Sequence, residues 1–132
     1  MNIPDASHRG SCLCGAVSFE VSGPLAPPDI CHCRQCRKQS GHVFASTDIS
    51  RSALSIQSEA TLRWYRSSER ISRGFCAQCG SSLFWDPIGK DVIAVAMGAF
   101  DTPTGTHVKM HIFVADKGDY YDIADGLPQH AH

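Results

Sequence analysis

Seven cysteines fall into three tight clusters within a chain of 132 residues, and no other feature limits the fold as strongly. The clusters are Cys12-Leu13-Cys14, Cys31-His32-Cys33-Arg34-Gln35-Cys36 and Cys76-Ala77-Gln78-Cys79-Gly80. An odd number of thiols cannot all pair as disulfides within one chain, and in a reducing compartment clustered thiols point to metal or redox chemistry. The compartment expected here is the cytoplasm. Residues 1–5 carry neither a charged n-region nor an apolar h-region, and the longest apolar run, 92–97, is the size of a strand and not of a membrane span.

The third cluster has the spacing of a zinc knuckle. Two residues between thiolates let one tight turn aim both sulfurs at a common ion, and Gly80 frees the backbone after the second ligand. Tetrahedral coordination then needs two more donors, and Cys12-x-Cys14 is the natural complement. Residues two apart on a strand face the same side, with Gly10 and Gly15 expected to supply the bend. Such a closed Cys₄ site would tie an N-terminal strand to a mid-chain hairpin and contribute directly to folding.

Cys31, Cys33 and Cys36 remain, matching three protein ligands plus one exchangeable position, the pattern of catalytic zinc. Spacing leaves other partitions open, among them Cys12 and Cys14 joining the central trio. It also leaves open a pair of ordinary core cysteines, a thioredoxin-like CxxC, and a trio that is redox-labile without metal. His32, between two candidate ligands, is a further possible donor, although a cysteine-only trio is simpler.

The rest of the chain reads as one mostly β domain over residues 1–132. Val17, Phe19 and Val21 alternate with polar residues across 16–21, the period of a half-buried strand. Further strands are expected at 43–45, 54–56, 62–65, 71–75, 83–85, 92–97, 108–114 and 120–123. A single helical turn should start in the central cluster and end at Gly41. Twelve basic against 13 acidic residues leave no basic face, so no nucleic-acid partner is expected. His130 and His132 are read as a disordered tail.

Taken in order, Gly10-Ser11-Cys12-Leu13-Cys14-Gly15-Ala16-Val17, the run from Cys31 to Gly41, and Phe75-Cys76-Ala77-Gln78-Cys79-Gly80-Ser81-Ser82-Leu83 resemble the glutathione-dependent formaldehyde-activating enzyme family, which includes centromere protein V. His111-Ile112-Phe113-Val114 and Asp125-Gly126-Leu127-Pro128 resemble its closing segments. Tyr120-Tyr121 departs from it, standing where many members carry a tryptophan. The resemblance implies a β-tent of small antiparallel sheets pinned by a structural Cys₄ zinc at Cys12, Cys14, Cys76 and Cys79. It implies a second, catalytic zinc at Cys31, Cys33 and Cys36.

The implied activity is that of a carbon–sulfur lyase acting on, or forming, S-hydroxymethylglutathione from formaldehyde and glutathione. Its expected partners are glutathione or another small thiol and an aldehyde, with no nucleic acid and no membrane, and a homodimer is compatible with it. A Zn(Cys)₃ centre already carries net negative charge, so activation of a substrate thiol is preferable to activation of water. Arg37 and Lys38, with Arg34, are candidates to recruit substrate carboxylates, against the plainer reading of a solvated face. His107 and His111 would share one face of a 108–114 strand, with His111 a candidate proton relay. Trp64 and Tyr65 are read first as packing groups and second as a stacking surface. The competing readings are a non-enzymatic zinc-stabilised binding module and a thiol redox or metal sensor.

Overall fold

The computed structural model describes residues 7–132. Among them ten strands form two sheets, accompanied by one α-helix. In chain order these are β1 (Ser7–Ser11), β2 (Ser18–Ser22), β3 (Asp29–Cys31), α1 (Arg34–Ser40), β4 (Phe44–Ser50), β5 (Leu54–Ser58), β6 (Leu62–Arg66), β7 (Ile71–Cys76), β8 (Ser82–Pro87), β9 (Val92–Ala96) and β10 (Met110–Ile112). The smaller sheet has the order β1-β2-β5, and the larger β10-β3-β4-β9-β8-β7-β6. The mostly β expectation holds, but the larger sheet has seven strands and includes one parallel pair, β10 with β3. Parallel pairing needs a long connection, and here most of the chain lies between the two partners.

The core lies where the two sheets face each other. Val17, Phe19 and Val21 point inward as their alternation predicts and pack with Ile49, Leu83, Phe84, Ile93, Val95 and Phe100. The Phe19 ring meets Phe84 and Phe100 edge-on at centroid distances of 5.3 and 5.6 Å, favourable aromatic geometry. Burying a side chain of this size stabilises the fold by about 1.5–3 kcal/mol. Gly10 serves this packing and not the expected bend. A Cβ there would lie 2.4 Å from Phe19 Cζ and 2.8 Å from the carbonyl oxygen of Ala99.

Several expected elements change at the C-terminal end. The strand expected at 108–114 shrinks to Met110–Ile112, because Phe113 turns into the left-handed region at φ 56°. His107 therefore lies outside the strand and is exposed, so it shares no face with His111. The strand expected at 120–123 is absent, since Tyr120 and Tyr121 direct their hydroxyls onto His42 and His32 and their backbone joins no ladder. His130 is no free tail: its N–H donates to the His111 carbonyl at 2.9 Å, and its own carbonyl accepts from Val114 at 3.0 Å. Among the described residues no helix is long and apolar enough to cross a membrane.

Candidate metal centres and their cavity

Cys12 and Cys14 do not lie on a strand, as the sequence suggested, but in the turn that follows β1. Gly15, at φ 81°, closes that turn by donating its N–H to the Cys12 carbonyl at 3.1 Å. Across from it, Cys76 ends β7 and Cys79 sits in the turn leading to β8, with the Gly80 N–H bonded to the Cys76 carbonyl at 2.7 Å. The four sulfurs lie within 4.8 Å of one another. Cys12 and Cys14 are 3.6 Å apart at sulfur, and Cys14 and Cys76 3.8 Å. Four sulfurs on a tetrahedron at the usual Zn–S length stand about 3.8 Å apart, so the donor set fits zinc.

Each of these sulfurs also accepts a hydrogen bond. Val17 N–H donates to Cys12 at 3.2 Å, Gln78 Nε2 to Cys14 at 3.4 Å, Thr61 Oγ1 to Cys76 at 3.3 Å and Ser81 Oγ to Cys79 at 3.2 Å. The Ser81 hydroxyl leads the backbone donors in drawing the Cys79 thiol down to about 5. Thr61 does the same for Cys76, lowering it against the opposing effect of burial. Cys14 moves the other way, to about 11: the Ala16 amide lowers it, but partial desolvation and the sulfurs of Cys12, Cys79 and Cys76 together outweigh that amide. Thiols that ionise readily yet repel one another once charged are suited to hold a divalent cation.

The second cluster grows from the start of α1. Cys33 is the N-cap residue, its sulfur accepting the Cys36 N–H at 3.4 Å, and one helical turn brings Cys36 back beside it. Gly41, in the left-handed region at φ 88°, caps the other end as expected, and Ser40 is spent there on the Cys36 and Val43 carbonyls. Cys31 comes from β3, and the three sulfurs lie within 4.8 Å of one another. Its thiol is raised, first by Cys36 and then by burial, whereas Cys36 is lowered to about 6 by Cys31 and by Arg73, against the effect of burial.

This trio opens into a cavity of about 380 Å³ on the exposed face of the larger sheet. Its floor is a cross-strand row, Arg73 beside Trp85 beside Ala94 beside Asp48, and Phe44 and Ile112 add apolar wall next to Cys31. Asp29, two residues before Cys31, lines the same cavity, with one carboxylate oxygen 3.7 Å from Lys109 Nζ. Asp48 is raised above the usual carboxylate range, first by burial and then by Asp29.

Of the basic residues expected to bind substrate, Lys38 and Arg34 line a second groove, of about 330 Å³, next to the trio. Arg37 lines neither; its Nε donates to the Asp116 carbonyl at 3.1 Å, tying α1 to the C-terminal segment. Tyr65 lines the Lys38 groove, while Trp64 stacks on Phe84 at 5.9 Å as a packing group.

His32 is no ligand in this arrangement, because both ring nitrogens are engaged behind the trio. Nδ1 meets the Tyr121 hydroxyl, and Nε2 lies 2.9 Å from His111 Nδ1. His111 Nε2 in turn lies 2.7 Å from Asp125 Oδ2. One set of protons satisfies all four groups: Asp125 accepts from His111, His111 accepts from His32, and His32 accepts from the tyrosine hydroxyl. Burial, and after it the neighbouring His111, lowers His32 below the usual imidazole range. The sequence offered no sign of this chain of contacts, whose two histidines are 79 positions apart.

Arg73 also went unread. It is 3% exposed, and its Nη1 donates to Cys36 Sγ at 3.6 Å. The one available signal was its parity with apolar Ile71 on a strand that would otherwise place a charge outward.

Comparison with known proteins places these features in a family. Residues 7–116 match the family described as glutathione-dependent formaldehyde-activating enzyme. An uncharacterized lyase of Schizosaccharomyces pombe is 25% identical over 119 residues, covering 89% of this chain and 86% of its own length. A Halomonas elongata protein provisionally named glutathione-dependent formaldehyde-activating enzyme is 28% identical over 125 residues, covering 87% and 80% respectively. A crystal structure of a Rhodobacter sphaeroides protein superposes with a TM-score of 0.61 at 24% identity, over 72% of this chain and 89% of that one, a likeness of fold.

Proposed function

Because the chain belongs to the glutathione-dependent formaldehyde-activating enzyme family, we propose that it is a zinc-dependent carbon–sulfur lyase that forms or cleaves glutathione-type adducts of small aldehydes. One observation carries this reading: Cys31, Cys33 and Cys36 converge on the wall of a cavity large enough for a small thiol. Cys12, Cys14, Cys76 and Cys79 would hold a structural zinc, and the trio a catalytic one. Zinc held by Cys31, Cys33 and Cys36 would lower the pKa of an incoming thiol and so favour its thiolate at neutral pH.

The chain's own residues do the rest. Phe44 and Ile112 beside Cys31, with Trp85 in the floor, give the cavity apolar surfaces that limit the access of water to the reacting carbon. Arg34 and Lys38 in the adjoining groove are suited to the carboxylates of a glutathione-like thiol. In the cleavage direction the adduct's hydroxyl loses its proton, the carbonyl forms, and the carbon–sulfur bond breaks with its electron pair remaining on sulfur. Asp29 is our proton acceptor: it lies about 7 Å from Cys31 along the same face of β3 and lines the same cavity.

The test combines zinc content with the rate at which S-hydroxymethylglutathione interconverts with formaldehyde and glutathione, followed by NMR exchange. Two zinc ions per chain and accelerated exchange are expected. Replacing Cys33 by Ser should remove one zinc and the acceleration together; acceleration that survives Cys33→Ser would overturn the reading.

A further inference from the structure

The mechanism above leaves one buried charge idle. The Arg73 guanidinium projects from β7 into the wall between the trio's cavity and the Lys38 groove, lining both, and is 3% exposed. Its Nε donates to Ser67 Oγ at 3.2 Å, Nη1 to Gln39 Oε1 at 3.3 Å and to Cys36 Sγ at 3.6 Å, and Nη2 to Gln35 Oε1 at 3.4 Å. None of these partners is a carboxylate. The ion pairs among the described residues do not include it. An arginine cannot escape burial by losing its proton, as a lysine can. Amide and hydroxyl oxygens do not compensate the charge of a buried cation, and among the described residues the only hydrogen-bond partner of Arg73 able to supply negative charge is Cys36 of the trio.

A strut between α1 and the sheet would explain the bonds to Gln35 and Gln39. It would not require a permanent charge, nor contact with a cysteine sulfur, nor a place on the cavity wall. The charge count gives the contact a purpose. Three thiolates around a divalent cation carry a net charge of minus one. A thiol that binds as thiolate releases its proton to solvent and takes the site to minus two, while a neutral donor leaves it unchanged. A fixed positive charge beside Cys36 therefore favours the first event and is indifferent to the second.

We propose that Arg73 is the built-in countercharge of the open cysteine site, a specificity-determining residue that selects an anionic sulfur over a neutral donor as the incoming ligand. This rests on the trio being the thiol-binding centre.

The experiment uses the full chain loaded with two equivalents of cobalt(II) without oxygen, titrated with glutathione as the thiol probe and imidazole as the neutral one. Binding is read from the visible cobalt spectrum. In the natural sequence glutathione should perturb one cobalt centre; if it perturbs neither, the reading of the trio as a thiol site has failed, whatever Arg73 does. Given that binding, Arg73→Gln should weaken glutathione roughly 10- to 100-fold and imidazole less than about threefold, with the closed site's cobalt spectrum unchanged as the marker of a folded chain. Arg73→Lys, which keeps the charge, should restore most of the loss. Equal weakening of both probes by Arg73→Gln, or none for glutathione, would overturn the proposal. If Arg73→Gln does not fold, Arg73→Lys decides: near-natural preference for glutathione over imidazole supports the countercharge, and a preference collapsed tenfold or more overturns it.

Discussion

The two cysteine clusters use one donor atom in two kinds of surroundings. At the first, Cys12 comes from the turn after the small sheet's edge strand, Cys76 from the end of β7 and Cys79 from the turn that follows it in the large sheet, so that the cluster joins the two layers. Cys12 and Cys76 belong to the main core beside Phe19 and Phe84. At the second, all three cysteines lie within six consecutive positions, on the open face of one sheet, next to a smaller cluster of Phe44 and Ala96. Sequence separation thus distinguishes the clusters before any metal is considered. Donors brought together from 62 positions apart close a long loop, whereas donors from one short stretch at the junction of β3 and α1 order little beyond themselves. The first arrangement suits a structural role and the second leaves room for chemistry.

The largest expected effect tests that division. Cys76→Ser should prevent folding at ordinary temperature, since a structural zinc contributes on the order of 10 kcal/mol or more. Cys33→Ser should fold, keep one zinc, and lose the second. Circular dichroism with metal analysis reads both, and a Cys33→Ser chain as unfolded as Cys76→Ser would collapse the distinction.

Metal removal gives a second, kinetic version of the same contrast. A small chelator should release two equivalents of zinc in separate phases, the trio's first, because its three residues line a cavity, whereas the other cluster, although Cys14 is exposed, is anchored in the main core through Cys12 and Cys76. The helical and sheet signals should persist through the first phase and fall with the second. Simultaneous release would mean that the clusters do not differ in access.

Part of this contrast was legible in the chain. The αL cap at Gly41 and the alternation of Val17, Phe19 and Val21 each record a local rule and appear as read, whereas Cys12 and Cys14 reach their partners from a turn and not from the expected strand. The short strands β3 and β10 do not appear as read, because three residues carry no period and their pairing joins segments far apart in sequence. Arg73 and the contacts from Tyr121 to Asp125 were hidden for a related reason. A charged residue on a strand reads as outward-facing, and a histidine's partners are set by tertiary contact. The two glycines assigned to one bend also prove different in kind. Gly15 is required for its backbone angle, and Gly10 for the ring packed against it.

Gly10 offers a mid-sized test on the closed side. Gly10→Ala would push a methyl group into Phe19 and into the Ala99 carbonyl, the second of which is backbone and cannot rotate away. The expected loss is about 1–3 kcal/mol, read as a shift in the denaturant midpoint, with zinc stoichiometry unchanged. A neutral substitution would mean that β1 is free to move away from the core.

The smallest effect lies on the open side, behind the trio. The hydrogen bond from His111 holds Asp125 below the usual carboxylate range, helped by the Leu127 amide. A carboxyl lowered in the folded state adds stability that is complete above its unfolded value of about 3.9 and disappears as pH falls through the folded value. His32, lowered mainly by burial, acts over a higher window: its stabilisation weakens as pH falls below about 6.5, its ordinary value. The difference between the natural chain and Asp125→Asn isolates the lower window. Hydrogen exchange at the His111 amide, which donates to the Pro128 carbonyl at 2.9 Å, should be faster in Asp125→Asn near neutral pH, and the two proteins should converge as pH falls below the usual carboxylate range. The carboxylate is partly exposed, so the change should be local and slight, with the closed cluster's zinc unaffected. A gap that persisted into strong acid would mean that Asp125 orders this segment through its shape and its bond to Leu127, and that its charge is incidental.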